Sequence, residues 1–295
     1  MQKVIPHLWY DKEAKDAAAF YVDAFGKDSR VTIVNTIHDT PSGSVDVVSF
    51  RLWGQDFEAI SAGPLFKFNP SISFLVKCIT TEEVDSMWQK LSDGGMVMME
   101  LGEYPFNKRY GWTQDKYGVS WQIIYLGEAA LKQPITPALM FVGDVYGRAK
   151  EAIEYYTNVF HDSKAGNVMT FTKGEDPDKE GNVKFGEFEI EGKEFAIMES
   201  AHAHKFAFNE AISFIVNCND QEEIDYYWNK LSADPKSEQC GWLKDKFGIS
   251  WQIVPVRMNE MLQNGSPEQI SRVTEAFLKM KKFDLAELEE AYQGK

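Results

Sequence analysis

Tyr110-Gly-Trp-Thr-Gln-Asp-Lys-Tyr-Gly-Val-Ser-Trp-Gln-Ile-Ile124 occurs again in this chain as Cys240-Gly-Trp-Leu-Lys-Asp-Lys-Phe-Gly-Ile-Ser-Trp-Gln-Ile-Val254. Each copy reads as a β-hairpin. Asp115 to Gly118 and Asp245 to Gly248 supply turn chemistry, with glycine free to take positive φ. A β-type run follows each turn, Val119 to Tyr125 and Ile249 to Val254.

Working outward from the first copy, the chain runs strand, helix, three strands, and then does so again. Val4 to Tyr10 reads as a strand, and Ala14 to Phe25 as a helix stopped by Gly26. Arg30 to Ile37, Val45 to Trp53 and Asp56 to Ser61 follow as strands separated by Gly43 and Gly54. Ser71 to Cys78 starts the second unit, and Thr80 to Glu83 is a capping box opening a helix to Leu91. The run around Gly95 to Met99 and the hairpin close it. Two βαβββ modules therefore fill the first ~125 residues, the size of one domain.

The plan then restarts. Pro137 to Val142 is the strand, Arg148 to Phe160 the helix, and Phe185 to Ile190 and Glu194 to Met198 are further strands. Ile212-Ser-Phe-Ile-Val-Asn-Cys218 repeats Ile72-Ser-Phe-Leu-Val-Lys-Cys78 almost residue for residue, followed by a second capping box at Asp220 to Glu223. Self-similarity over a whole half-chain is a duplication. The expected domains are residues 1–128 and 135–256, joined by a linker at 129–134. An extension at 257–295 carries two helices, one from Ser266-Pro267 through Lys282 and one capped by Asp284. They should pack on the second domain or across the pair.

The chain's 295 residues are 44% hydrophobic, 26% charged and 14% aromatic, which suits two globular cores or aromatic-lined pockets. A formal net charge of −14 opposes phosphate backbones and anionic membranes, so neither nucleic acid nor membrane is expected as a partner. No apolar run is long enough for a membrane span or a signal peptide. Cys78, Cys218 and Cys240 show neither metal spacing nor a disulfide framework, which points to a reduced cytoplasm.

Alternation divides each strand into two faces. Ile72, Phe74, Val76 and Cys78 should lie under the helices, leaving Ser71, Ser73 and Leu75 opposite. Trp121 and Ile123 join the helix side, while Ser120 and Gln122 face away; Trp251, Ile253, Ser250 and Gln252 repeat the arrangement. A glutamine between large apolar neighbours, found twice, needs hydrogen bonds. It is either an amide tying strands together or a ligand contact. Asp115 with Lys116, and Asp245 with Lys246, read as turn and surface pairs. Glu199, His202 and His204 read as a polar loop with incidental histidines.

These modules, the Phe20-Tyr21…Phe25-Gly26 helix end and the Asp-Lys-Tyr/Phe-Gly-Val/Ile-Ser-Trp-Gln hairpin resemble the vicinal oxygen chelate (glyoxalase and bleomycin resistance) superfamily. Within it, Ile5-Pro6-His7-Leu8-Trp9-Tyr10 and the tail resemble the PhnB-like, demethylubiquinone-methyltransferase-labelled branch. The resemblance implies an α+β fold of two tandem domains, each of two βαβββ modules in a curled mixed sheet, with C-terminal helices. It also implies a pseudo-dimer within the chain, with a homodimer as a further assembly.

Metal-using members place ligands at positions that correspond here to Pro6, Phe50, Ser71 and Gln122, and to Pro137, Phe188, Ala211 and Gln252. None offers an imidazole or a carboxylate, so no metal and no cofactor is expected. His7 is adjacent to the first of these positions, but alternation is expected to turn it toward the helices. No Gly-rich loop joins a strand to a helix in a doubly wound unit, so nothing supports a nucleotide-like methyl donor. The expected function is metal-independent binding of a small, partly aromatic molecule. Leu8, Tyr10, Phe50, Leu52, Ser73 and Gln122 should line the first site, and Leu139, Phe141, Phe188, Ile190, Ser213 and Gln252 the second. The competing readings are a metal-dependent lyase or dioxygenase, a methyltransferase, and an interaction scaffold with filled cavities.

Overall fold

The computed structural model describes residues 2–40, 43–127 and 132–295. The first module is β1 (Val4–Tyr10), α1 (Ala14–Phe25), β2 (Arg30–Thr40), β3 (Gly43–Leu52) and β4 (Gln55–Ser61). The second is β5 (Ile72–Cys78), α2 (Thr81–Ser92), β6 (Met96–Tyr104), β7 (Asn107–Gln114) and β8 (Ser120–Tyr125). The third is β9 (Ile135–Phe141), α3 (Ala149–Val159), β10 (Lys164–Thr170), β11 (Val183–Ile190) and β12 (Lys193–Glu199). The fourth holds β13 (Ile212–Cys218), α4 (Gln221–Leu231), β14 (Trp242–Lys244) and β15 (Ser250–Pro255). Thr80 and Asp220 cap α2 and α4, each accepting from the backbone N–H three residues on. β10 gives little sequence signal because it is an exposed edge strand with almost no buried side chain.

Two curled sheets result, and each takes one module from either half of the chain. The order β14-β15-β13-β1-β4-β3-β2 joins the first and fourth modules; β10-β11-β12-β9-β5-β8-β7-β6 joins the third and second. At the seams β1 runs antiparallel to β13, with His7 opposite Ser213, and β5 antiparallel to β9, with Ser73 opposite Ala138. Within one half, β1 and β5 would each be an open edge. Pairing across the halves satisfies both.

The aromatic contacts beneath the helices run within the halves. The Trp121 ring (β8) lies 5.3 Å from Tyr21 and 5.5 Å from Phe25 (both α1), and Phe57 (β4) lies 5.4 Å from Phe74 (β5). Trp251 repeats this with Tyr156 at 5.7 Å and Phe160 at 5.1 Å. Each half thus presses the helix-bearing faces of its two modules together, which leaves the opposite, inner face of each sheet to be shared between halves. Cys78 and Cys218 are buried on the helix side, where burial pushes both thiols up to about 12. Of the segment read as a linker, 129–134, the first three residues lie outside the described residues. Gln133, at its end, is buried, and its amide bonds the backbone of Ile135 and Glu194.

The tail forms three helices where two were expected: α5 (Val256–Asn264), α6 (Pro267–Phe277) and α7 (Leu285–Gln293). Val256 turns into α5 directly from β15, and α6 stops at Phe277, short of Lys282. Met258, Met261, Val273, Phe277, Met280 and Phe283 pack on Ile5, Ile215 and Val254, which project from the inner face of the seven-stranded sheet. The fourth module has no counterpart of β6. In its place the Cys240 N–H donates to the Met280 carbonyl at 2.9 Å and the Gly241 N–H to that of Lys281 at 2.7 Å. The tail thereby stands in for the missing strand. No helix among the described residues is long and apolar enough to cross a membrane.

Candidate functional site

Of the twelve side chains expected to line the sites, eight lie elsewhere. Leu8, Tyr10, Phe50, Leu52, Leu139, Phe141, Phe188 and Ile190 are all buried in the helix-side core. Phe50 stacks on Tyr21 of α1 at 6.1 Å, and Phe188 on Tyr156 of α3 at 5.9 Å. The physical reason is general: a strand's large apolar set belongs under the helix, and its mixed set faces the other way. Ser73, Gln122, Ser213 and Gln252 do lie on the inner faces.

In the eight-stranded sheet the Gln122 amide donates to Ser73 Oγ at 2.8 Å and accepts from the Tyr110 hydroxyl at 2.7 Å. Trp112 Nε1 donates to Ser120 Oγ at 2.7 Å. Around this row Tyr110, Trp112, Met140 and Val142 form a buried cluster with Met98, Met99, Met198 and Phe206 against it. Burial pushes the Tyr110 phenol well above its ordinary range. It is therefore a neutral donor at any working pH.

In the seven-stranded sheet Gln252 donates to Ser213 Oγ at 3.0 Å, and Ser213 Oγ lies 3.4 Å from His7 Nδ1. His7 is thus on the inner face, not toward the helices as expected. Its ring meets Trp242 edge-on at 5.4 Å, and Trp9 lies 5.9 Å from Trp242 and 5.0 Å from Phe66. Trp9 Nε1 is fixed by the Gly63 carbonyl at 2.8 Å. On β4, Glu58 stands in register with His7. Burial, with Asp56 nearby, pushes Glu58 up to about 7, and burial lowers His7 to about 3. The imidazole is neutral, and the carboxyl exchanges its proton near neutrality.

Trp9, Phe66, Tyr110 and Trp242 are the side chains that sequence reasoning missed. Trp9 and Tyr110 had a signal in the mixed sets of β1 and β7, and Trp242 in its match to Trp112 of the first hairpin, whereas Phe66 lies between β4 and β5 with no strand pattern to mark it.

The donor set does not fit a divalent ion. His7 and Glu58 bring one imidazole and one carboxylate, and Ala138 and Ala196 occupy the matching register on the other sheet. Among the described residues no three His, Cys, Asp or Glu side chains gather. Glu199 is spent on the backbone, accepting from Ala149 N–H at 2.8 Å and Val183 N–H at 2.6 Å, while His204 bonds Ser200. Nor does a methyl-donor nucleotide find the loop of a doubly wound sheet: β1 passes into α1 through Asp11-Lys12-Glu13 without a glycine, and Gly143 and Gly147 between β9 and α3 belong to a βαβββ module of a mixed sheet.

The sequence model of the family described as 3-demethylubiquinone-9 3-methyltransferase matches residues 2–124 and again 133–254. The chain belongs to this family. Among solved structures, a putative 3-demethylubiquinone-9 3-methyltransferase, the PhnB protein of Bacillus cereus, is 35% identical over 42% of this chain and 99% of its own, with a TM-score of 0.39. A glyoxalase I mutant from Zea mays is 13% identical over 85% of this chain and 93% of its own, with a TM-score of 0.54. A putative dioxygenase from Bacillus subtilis is 12% identical over 84% of each chain, with a TM-score of 0.51. At those identities the last two show a shared fold alone. No curated protein matches the chain. This 3-demethylubiquinone-9 3-methyltransferase family member thus has the tandem fold of the vicinal oxygen chelate superfamily.

Proposed function

We propose that the chain binds a small, partly aromatic molecule on the inner faces of its sheets, without a metal ion. The observation that carries this reading is the repeated Ser–Gln pair, Ser73 with Gln122 and Ser213 with Gln252, each set among aromatic side chains. Flat apolar walls with a few fixed polar groups are the usual make-up of small-molecule sites. On the seven-stranded sheet Trp9, Trp242 and Phe66 supply walls, and Gln252, His7 and Glu58 supply hydrogen bonds. On the eight-stranded sheet methionines supply adaptable walls. The metal-free part of the proposal rests on the donor chemistry above. A methyl transfer would rest on the family name alone, and fold does not fix function. Three unpaired thiols suit a reducing compartment.

The test is a thermal-shift screen of small phenols and aromatic acids, repeated with a chelator, together with metal analysis of the purified protein. Ligand-dependent stabilisation that survives chelation supports the proposal. Stoichiometric zinc, iron or manganese overturns it. One observation favours a second reading for the eight-stranded sheet: Tyr110, Trp112 and Met140 are at most 9% exposed, yet no helix residue joins their cluster. That face would then be filled by its own side chains and serve as a scaffold, leaving the seven-stranded sheet as the binding face.

A further inference from the structure

At the ends of β3 and β5, the α1–β2 turn, the β3–β4 turn and the start of α2 enclose a groove of about 510 Å³. Lys27, Arg30, Arg51 and Lys77 line it, against the carboxylates of Asp28 and Glu83. Trp53, Ile79 and Pro134 give it an apolar wall. In a chain of net charge −14 this is a local concentration of cations.

Arg30 on β2 and Arg51 on β3 are direct cross-strand partners, and Arg51 faces Asp56 of β4 on its other side. Arg51 is held by Asp56 at 2.5 Å, and the buried Lys77 by Glu194 at 2.7 Å, so both are fixed in place. Arg30 and Lys27 form no ion pair among the described residues. The duplication supplies an internal control. The matching strand pair in the third module is Lys164 opposite Glu189, an ion pair at 3.3 Å. Asp28 and Trp53 share their left-handed backbone with Asp162 and Glu191 of the second half, so the local scaffold is common to both copies. Glu189 and Glu191 thus occupy in one copy the places that Arg51 and Trp53 hold in the other. Arg51 is neutralised by Asp56 in the first copy as Glu189 is by Lys164 and Lys132 in the other, so what sets the first copy apart is an Arg30 without a carboxylate partner among the described residues and an indole beside it.

We propose that this groove is an oxyanion site, taking the phosphate or carboxylate group of a small molecule whose apolar part rests on Trp53. The anion would gain charge-assisted hydrogen bonds from the planar guanidinium of Arg30 and from the donors of Arg51 that Asp56 leaves free.

The test compares thermal midpoints in inorganic phosphate, phenyl phosphate and benzoate against chloride at matched ionic strength. Phosphate and phenyl phosphate should each raise the midpoint, with phenyl phosphate acting at lower concentration and changing tryptophan fluorescence. A response to benzoate but not to phosphate would assign the site to carboxylates. Arg30→Gln should weaken the apparent affinity at least about tenfold. Arg30→Glu, which places a carboxylate opposite Arg51, should abolish the response. No shift beyond chloride with any of the three anions overturns the proposal, and so does an undiminished shift in both folded variants.

Discussion

The Tyr21 hydroxyl donates to Asp115 Oδ2 at 2.8 Å, bolting the helix of the first module to the hairpin of the second. The same oxygen accepts from Trp121 Nε1 at 2.7 Å, and Oδ1 accepts from the N–H groups of Tyr117 at 2.8 Å and Val119 at 3.1 Å. Tyr156 and Asp245 repeat the arrangement at 2.6 Å, with Trp251, Phe247 and Ile249 as the other donors. These aspartates are therefore buried junctions between modules, not the surface turn residues their sequence context suggests. Burial raises both carboxyls, while the four donors pull each one the other way.

Removing the junction should unfold its half preferentially. Asp115→Ala strands the Trp121 donor and two backbone N–H groups, leaves the Tyr21 hydroxyl only its bond with Tyr10, and is expected to cost about 3–5 kcal/mol. Tyr21→Phe removes two hydrogen bonds, to Asp115 and to the Tyr10 hydroxyl, and should cost about 1–3 kcal/mol. Urea unfolding followed by tryptophan fluorescence measures both. An Asp115→Ala midpoint equal to that of the parent protein would show that the junction carries no stability.

The His7–Glu58 row makes opposite contributions to the pH dependence of stability. His7 drops from 6.5 to about 3 in the fold, so between those values the unfolded chain binds a proton that the native protein refuses. Its stabilising contribution is full above pH 6.5 and is lost on acidification, at a limiting slope of about 1.4 kcal/mol per pH unit. Glu58 rises from 4.5 to about 7, so its contribution is present at low pH and is lost as pH rises through that window. The two oppose each other where the windows overlap. Glu58→Gln should leave stability falling steadily toward acid, and His7→Gln should leave it rising. Urea midpoints measured from about pH 4 to about pH 8 decide the matter. Parallel profiles for the two variants would refute the assignment.

The sequence carried the module order plainly, because a duplicated hairpin and the N-caps Thr80 and Asp220 each fix local structure without reference to the rest of the chain. Glu83 and Glu223, however, reach back to Ile79 and Asn219 and do not close the expected capping boxes. The seams were not readable. Nothing local in Val4–Tyr10 says that its partner is Ile212–Cys218, more than two hundred residues away. Facing went wrong for a related reason. Alternation sorts Leu8 and Tyr10 from His7 and Trp9, but only the pairing of His7 with Ser213 shows which set joins Gln252. The glutamines were placed correctly because the wholly apolar alternates Trp121 and Ile123 leave no choice of face.

Gly241 is where the tail's contact with the sheet should be most fragile. It has φ of +80°, and a Cβ there would come 2.5 Å from the Phe283 ring and 3.0 Å from the Ile253 carbonyl. Gly241→Ala should therefore push the Met280–Phe283 segment off the sheet edge, at a cost of roughly 1–3 kcal/mol. Limited proteolysis of the folded variant should cut between α6 and α7 faster than in the parent protein. Equal cutting rates would show that the tail does not depend on this contact.

The two glutamines should answer differently to the same substitution. Gln122 serves two buried partners, Ser73 Oγ and the Tyr110 hydroxyl, so Gln122→Leu leaves both unpaired and should cost about 2–4 kcal/mol. Gln252 donates to Ser213 alone, and Ser213 Oγ still lies 3.4 Å from His7 Nδ1, so Gln252→Leu should cost less, about 1 kcal/mol. Affinity should reverse that order if the eight-stranded inner face is plugged. Gln252→Leu would then weaken an aromatic ligand at least about tenfold, since a ligand group hydrogen-bonded to a buried amide loses its partner. Gln122→Leu would leave the affinity unchanged while lowering the midpoint. Calorimetric titration of both folded variants with a hit from the screen separates the outcomes. Equal losses of affinity would show that both faces bind, and no loss in either would remove the glutamines from the site.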